Sequence, residues 1–219
     1  MTILLEHIGK RYNYEWVFRH LSFVFETATP AAVVGANGSG KSTLLQILSG
    51  SMLPTEGKLN YQDAENHPIH PEDFYQYVSF TAPYLDLPDE FTPLESLRFI
   101  SRFRALWPGI SPAEITEWVE LPATACRKPI RYLSSGMQQR VKLAHAFFVQ
   151  SSVLLLDEPC TNLDKEGVRM YHRLVERFTG NRILVIASNR PEEYDMCPKI
   201  LSIEAFKPSA TTRADWNIE

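Results

Sequence analysis

The stretch at residues 33–43, V-V-G-A-N-G-S-G-K-S-T, restricts this chain more than any other. Gly35, Gly40, Lys41 and Ser42 satisfy G-x-x-x-x-G-K-[ST], the pattern of a phosphate-binding loop. Small residues let the backbone curl until successive N–H groups converge on an anion. Lys41 adds positive charge for the outer phosphates, and the Ser42 hydroxyl suits Mg²⁺. An apolar run at 31–34 reads as a buried strand, and a helix is expected over 42–48. Phosphate held between them meets a helix N-terminus, where free N–H groups and the dipole favour negative charge. The bland alternative is an accidental glycine-rich turn. At ordinary glycine usage, chance produces this pattern in roughly 1 in 100 chains of such length.

The 219 residues suffice for one large α/β domain or two small ones. A hydrophobic content of 44% and a charged content of 22% are those of an ordinary globular protein. The net charge of −4 argues against nucleic acid or an anionic membrane as an electrostatic partner of the whole fold. Cys126, Cys160 and Cys197 are scattered and odd in number, which fits reduced thiols rather than a disulfide frame or a zinc site. The start shows no signal-peptide pattern, and no run approaches 18 apolar residues. Any membrane role must come through a partner.

Strands are expected at 3–8 and 21–25. Between them lie Tyr12, Tyr14 and Trp16. Tyr12 either returns in space to stack on a base, worth about 1–3 kcal/mol, or these aromatics simply pack a sheet. Beyond the loop helix, Ser49-Gly50 reads as a stop, 58–62 as an edge strand and 63–73 as a polar surface loop. His67 and His70 in that loop lack neighbouring ligands and read as solvated rather than as a metal pair. A strand at 77–81 precedes helical spacing over 92–107, where Arg98, Arg102 and Arg104 read as a solvated face. A second helix is expected over 111–121, with Ser111 as cap, Pro112 first and Glu114 third. Continuous apolar runs at 153–156 and 183–187 read as central parallel strands, with a helix at 168–178 between them and a last strand at 200–203. The tail from Lys207 is polar, with a lone Trp216 as a local docking candidate.

A phosphate-binding loop needs a carboxylate at a neighbouring strand end to hold Mg²⁺, and ligands sit at the carboxyl ends of such strands. Asp157 ends the apolar run at 153–156, and Glu158 beside it is placed to polarise a water. Between loop and acid lies Leu133-Ser134-Ser135-Gly136-Met137-Gln138-Gln139-Arg140. Alone, it is a capped helix start. With the rest, it resembles the signature motif of ATP-binding cassette (ABC) ATPases, L-S-G-G-Q-x-x-R. The resemblance covers nearly the whole chain.

It implies one domain over 1–219: a P-loop NTPase core with a parallel sheet and an antiparallel β subdomain (about 1–84 and 136–219), and an inserted α-helical subdomain (about 85–135). It implies Mg·ATP as ligand. Tyr12 resembles the adenine-stacking aromatic, and Gly35, Ala36, Asn37, Gly38, Ser39, Gly40, Lys41, Ser42 and Thr43 resemble the Walker A loop. Ser42 and Asp157 would hold the metal, and Glu158 would be the general base. The run Cys160-Thr161-Asn162-Leu163-Asp164 resembles the D-loop. Cassettes of this family pair head to tail, as homodimers or heterodimers. Ser134, Ser135 and Gly136 would therefore meet the γ-phosphate of a partner's site.

Two departures stand out. The family's Gln after the strand at 77–81 is replaced by Ala82, and its His after 183–187 by Asn189. Asn189 keeps one neutral hydrogen bond, and losing a transition-state donor of this kind costs about 10²–10³ in rate. The resemblance implies an ATP-hydrolysing subunit at the cytoplasmic face of a membrane, driving separate transmembrane permease subunits. The alternatives are a degenerate cassette with little hydrolysis and a soluble, non-transport ABC ATPase.

Overall fold

Strands buried on one face and strands buried on both separate two layers, since the strands at 153–157 and 183–187 are buried at every residue. The structure, a computed structural model describing residues 1–208, begins with β1 (Thr2–Tyr12) and β2 (Glu15–Glu26), an antiparallel hairpin. Asn13 turns it in the left-handed conformation, at φ 52°, a geometry asparagine tolerates well. Next come β3 (Ala31–Val34), α1 (Lys41–Leu48) and β4 (Glu56–Gln62). The two-residue β5 (Pro68–Ile69) completes a four-stranded antiparallel sheet of order β2-β1-β4-β5.

The expectation of an edge strand at 58–62 is corrected here, because β4 pairs with β1 on one side and β5 on the other. Asp63 is the cause. Its carboxylate accepts from the Glu65 and His67 N–H groups, at 2.8 and 2.9 Å, and folds the supposed loop back onto β4. Pro68, which has no N–H to donate, then falls on the outermost strand.

The remaining elements are β6 (Val78–Thr81), α2 (Pro93–Ile100), α3 (Pro112–Trp118), α4 (Ser135–Phe148), β7 (Val153–Asp157), α5 (Lys165–Phe178), β8 (Ile183–Ala187) and β9 (Lys199–Ser202). The second sheet, of order β6-β7-β8-β3-β9, is wholly parallel. Both its faces are covered. Val153, Leu155, Ile183 and Val185 pack towards α1 and the antiparallel sheet. Leu154, Leu156, Leu184 and Ile186 pack towards α4 and α5. That double burial explains the unbroken apolar runs.

Ser111 and Glu114 form the expected capping box. Thr92 and Glu95 form another at the start of α2. The helix expected over 92–107 is shorter than its spacing suggests, ending at Ile100. Leu106 instead bridges Val149, drawing the backbone towards the end of α4. Arg104 also departs from a solvated face. Its guanidinium donates to the carbonyls of Tyr75, Gln76, Val78 and Gln150, and burial lowers its pKa. Cys126, Cys160 and Cys197 are free and buried. Among the described residues no helix is long and apolar enough to cross a membrane. Trp216 lies outside them.

Candidate functional site

The parallel register sets the site. Asp157 is opposite Ala187 and Thr81 opposite Leu156, so β6, β7 and β8 release their chains at one level. β3 joins them there, where the Ser188 N–H donates to the Val33 carbonyl at 3.1 Å. The loop after β3 reaches α1 through Gly40, at φ 109°. A Cβ at Gly40 would lie 2.4 Å from a Val17 methyl of β2. Both the conformation and the space therefore require glycine.

Lys41 is buried and folds back over its own loop, donating to the Gly35 and Ala36 carbonyls at 2.9 and 3.1 Å. The Ala36 N–H donates to the Glu204 carboxylate at 2.9 Å, so an acid already sits on one amide of the loop. Asn189 donates its side-chain amide to the Asn37 side-chain oxygen at 2.9 Å, placing it against the loop. Ser39, 1% exposed, has a hydroxyl with no hydrogen-bond partner.

Asp157 is only 2% exposed, and neither carboxylate oxygen has a hydrogen-bond partner. Burial pushes its pKa from 3.8 to about 6. Ser42 and Lys41 oppose that rise, while the neighbouring Glu158 charge adds to it. The Ser42 hydroxyl lies near enough to favour the anion, yet no donor meets either oxygen with hydrogen-bond geometry. A buried carboxylate without donors is costly; a hard divalent cation, which takes oxygen ligands, relieves it. The residues present therefore fit Mg²⁺. Glu158 follows in the left-handed region, at φ 43°, a conformation that costs free energy in a non-glycine residue. Its N–H is pinned to the Ala187 carbonyl at 2.9 Å, and Thr161 reaches its carboxylate at 3.4 Å.

Ser134 caps α4 by accepting from the Met137 N–H. A Cβ on Gly136 would meet the Asn162 carbonyl oxygen at 2.9 Å, so the start of α4 abuts the turn after Glu158. No hydrogen bond among the described residues joins Ser134, Ser135 or Gly136 to the loop at 35–43. One chain thus gathers the loop, Asp157, Glu158 and Asn189, while its serine-rich helix start meets the turn after Glu158. Tyr12 ends β1 half exposed, its hydroxyl on Met52 Sδ at 3.3 Å. Trp16 instead lies between the Arg11 and Arg19 guanidiniums. His67 is exposed beside Asp63 and Glu65, and His70 beside Glu72. Among the described residues no group of three or more His, Cys, Asp or Glu side chains could hold a metal.

Sequence reasoning missed Glu204 and Tyr84. Glu204 is 168 residues from the amide it meets, and no local pattern marks it. Tyr84 follows β6 closely enough to have been found by asking which polar group leaves that strand.

A family model described as ABC transporter matches residues 18–161. The cytochrome c biogenesis ATP-binding export protein CcmA of Rhizobium meliloti is 30% identical over 194 residues, 87% of this chain and 92% of that protein. The lipoprotein-releasing system ATP-binding protein LolD of Idiomarina loihiensis is 34% identical over 170 residues, 73% of this chain and 72% of that protein. A putative ABC transporter ATP-binding protein from Pyrococcus furiosus shares the fold at TM-score 0.80 and 20% identity, covering 95% of this chain and 100% of that one. A dimeric ATP-binding cassette bound to ADP and Pi does so at TM-score 0.78 and 20% identity, over 92% and 94%. The chain belongs to the ABC transporter family and is one of its ATP-binding cassettes.

Proposed function

We propose that this chain is the ATP-binding and hydrolysing subunit of an ABC transporter, working on separate membrane subunits at the cytoplasmic face. The observation that carries this reading is the pair of unpartnered, buried Asp157 oxygens beside Ser42 and Lys41. In it, Ser42 and Asp157 hold Mg²⁺, which neutralises charge on the phosphates. The loop from Gly35 to Thr43 cradles the phosphates, with Lys41 leaving its own carbonyls for the outer ones. Glu158 polarises the attacking water, and Asn189 faces the terminal phosphate. Tyr12 takes the base. That no hydrogen bond among the described residues joins Ser134, Ser135 or Gly136 to the loop fits a head-to-tail dimer in which they complete a partner's site. The core at about 1–84 and 136–219 then binds nucleotide, and the helical subdomain at about 85–135 carries the serine-rich start towards the partner.

The relatives' names support an export or release system, with the cargo chosen by the membrane chains. A second reading, a cassette that binds ATP with little turnover, is favoured by Asn189 and Ala82 standing where the family has His and Gln. Steady-state hydrolysis by the purified chain separates the two. The first reading expects turnover that vanishes with Lys41→Ala and falls about 10²–10⁴-fold with Glu158→Gln, the latter trapping an ATP-bound dimer. Background turnover indifferent to Lys41→Ala would establish the second.

A further inference from the structure

Tyr84 stands at the mouth of this site with no role assigned to it. Thr81 lies opposite Leu156 in the sheet, so the chain leaves β6 at the level of Asp157 and reaches Tyr84 three residues later. The ring is 46% exposed and rests edge-on against Phe80, with centroids 6.5 Å apart. Its oxygen accepts from the Gln46 side-chain amide at 3.1 Å. Gln46 lies four residues after Ser42 on α1, on the same face of the helix. The phenol oxygen is thereby held one helical turn beyond Ser42 on that face. With its oxygen occupied as acceptor, its own O–H is left to donate. The other side of the segment is tied as well, because Lys142 of α4 donates to the Pro83 carbonyl at 2.7 Å. Burial raises the phenol's pKa, the Gln46 bond opposes that and the Asp157 charge adds to it, so the proton stays on at neutral pH.

We infer that Tyr84 is a positioning residue for the metal, its phenol O–H holding a water ligand of the Mg²⁺ that Ser42 and Asp157 take. This rests on the metal assignment above and gives the segment at 82–84 the polar group that Ala82 does not supply. Gln46 fixes the ring, and Lys142 couples the segment to the helix that starts at Ser135. A phenol is longer than a carboxamide side chain, so a tyrosine two residues beyond Ala82 reaches inward from further along the loop.

The test is equilibrium ATP binding to the full chain, titrated with Mg²⁺ and repeated in EDTA. Tyr84→Phe keeps the ring and loses only the hydroxyl. It is expected to bind ATP in EDTA within about twofold of the parent. The Mg²⁺ concentration giving half-maximal enhancement should rise about 10-fold, as for other groups that orient metal ligands through hydrogen bonds. A Mg²⁺ titration unmoved by Tyr84→Phe but shifted by Asp157→Asn would overturn the role of Tyr84 and leave the metal site intact. A titration unmoved by either would overturn the metal site itself, and Tyr84 with it.

Discussion

The two ends of the parallel sheet treat buried polar groups in opposite ways. At the amino-terminal end, Arg182 is 1% exposed and fully engaged. It donates to the carbonyls of Phe147, Val149 and Ser151 and lies over the Trp107 ring. Burial lowers its pKa to about 10, and the Arg104 charge adds to the effect. Arg104 meets four more carbonyls there, and among the described buried side chains at this end only the Ser151 hydroxyl lacks a partner. At the carboxyl end, both Asp157 oxygens, the Ser39 hydroxyl and one Glu193 oxygen are buried and unpartnered, and Glu158 is held in a strained conformation. One end closes its own hydrogen bonds and is structural. The other leaves them open, as expected where a ligand completes the set.

Breaking the closed end should cost most. Arg182→Met leaves the Val149 and Ser151 carbonyls without a donor, while Phe147 keeps Trp107 Nε1 at 3.1 Å, and about 3–5 kcal/mol of stability should go, read by chemical denaturation. Nucleotide affinity of the folded fraction should stay unchanged. A large loss of affinity with little loss of stability would reverse the contrast.

Relieving the open end should do the opposite. The Asp157 carboxyl titrates near 3.8 unfolded and about 6 folded. The folded state holds the proton more tightly, so stability falls as pH rises from about 4 to 6 and levels off above. A rise of that size corresponds to about 3 kcal/mol. Asp157→Asn should lack this dependence and make the ligand-free chain more stable at pH 7, by up to about that amount. His145, whose pKa burial lowers to about 4, has the opposite slope, but it is common to both proteins and cancels in the difference. Equal pH profiles would show that Asp157 is better satisfied than its contacts indicate. The smallest effect is expected at Ser39. Ser39→Ala removes an unpartnered hydroxyl and should raise ligand-free stability by about 1 kcal/mol in thermal unfolding.

The closed end was the less legible in sequence. The loop at 35–43, the acid at Asp157 and the strands β3 and β8 could be read locally, because a glycine pattern and unbroken apolar runs are short-range signals. The Ser111 cap was equally local. What failed depended on partners far along the chain. Arg104 read as surface because the carbonyls that claim it come from β6 and from the end of α4. β4 read as an edge because β5 is two residues long. Ala82 drew attention as a missing glutamine, while Tyr84 gains meaning only once Gln46 and Asp157 stand beside it.

The absence of a side chain at Gly136 has a mechanical consequence. The Asn162 carbonyl packs against the glycine, and the Gln139 amide is bonded to the Pro159 carbonyl at 2.7 Å, so the beginning of α4 is tied to the turn that follows Glu158 at two points. The two pieces are therefore expected to shift together, so that a displacement of the serines is felt at the turn beside the acid.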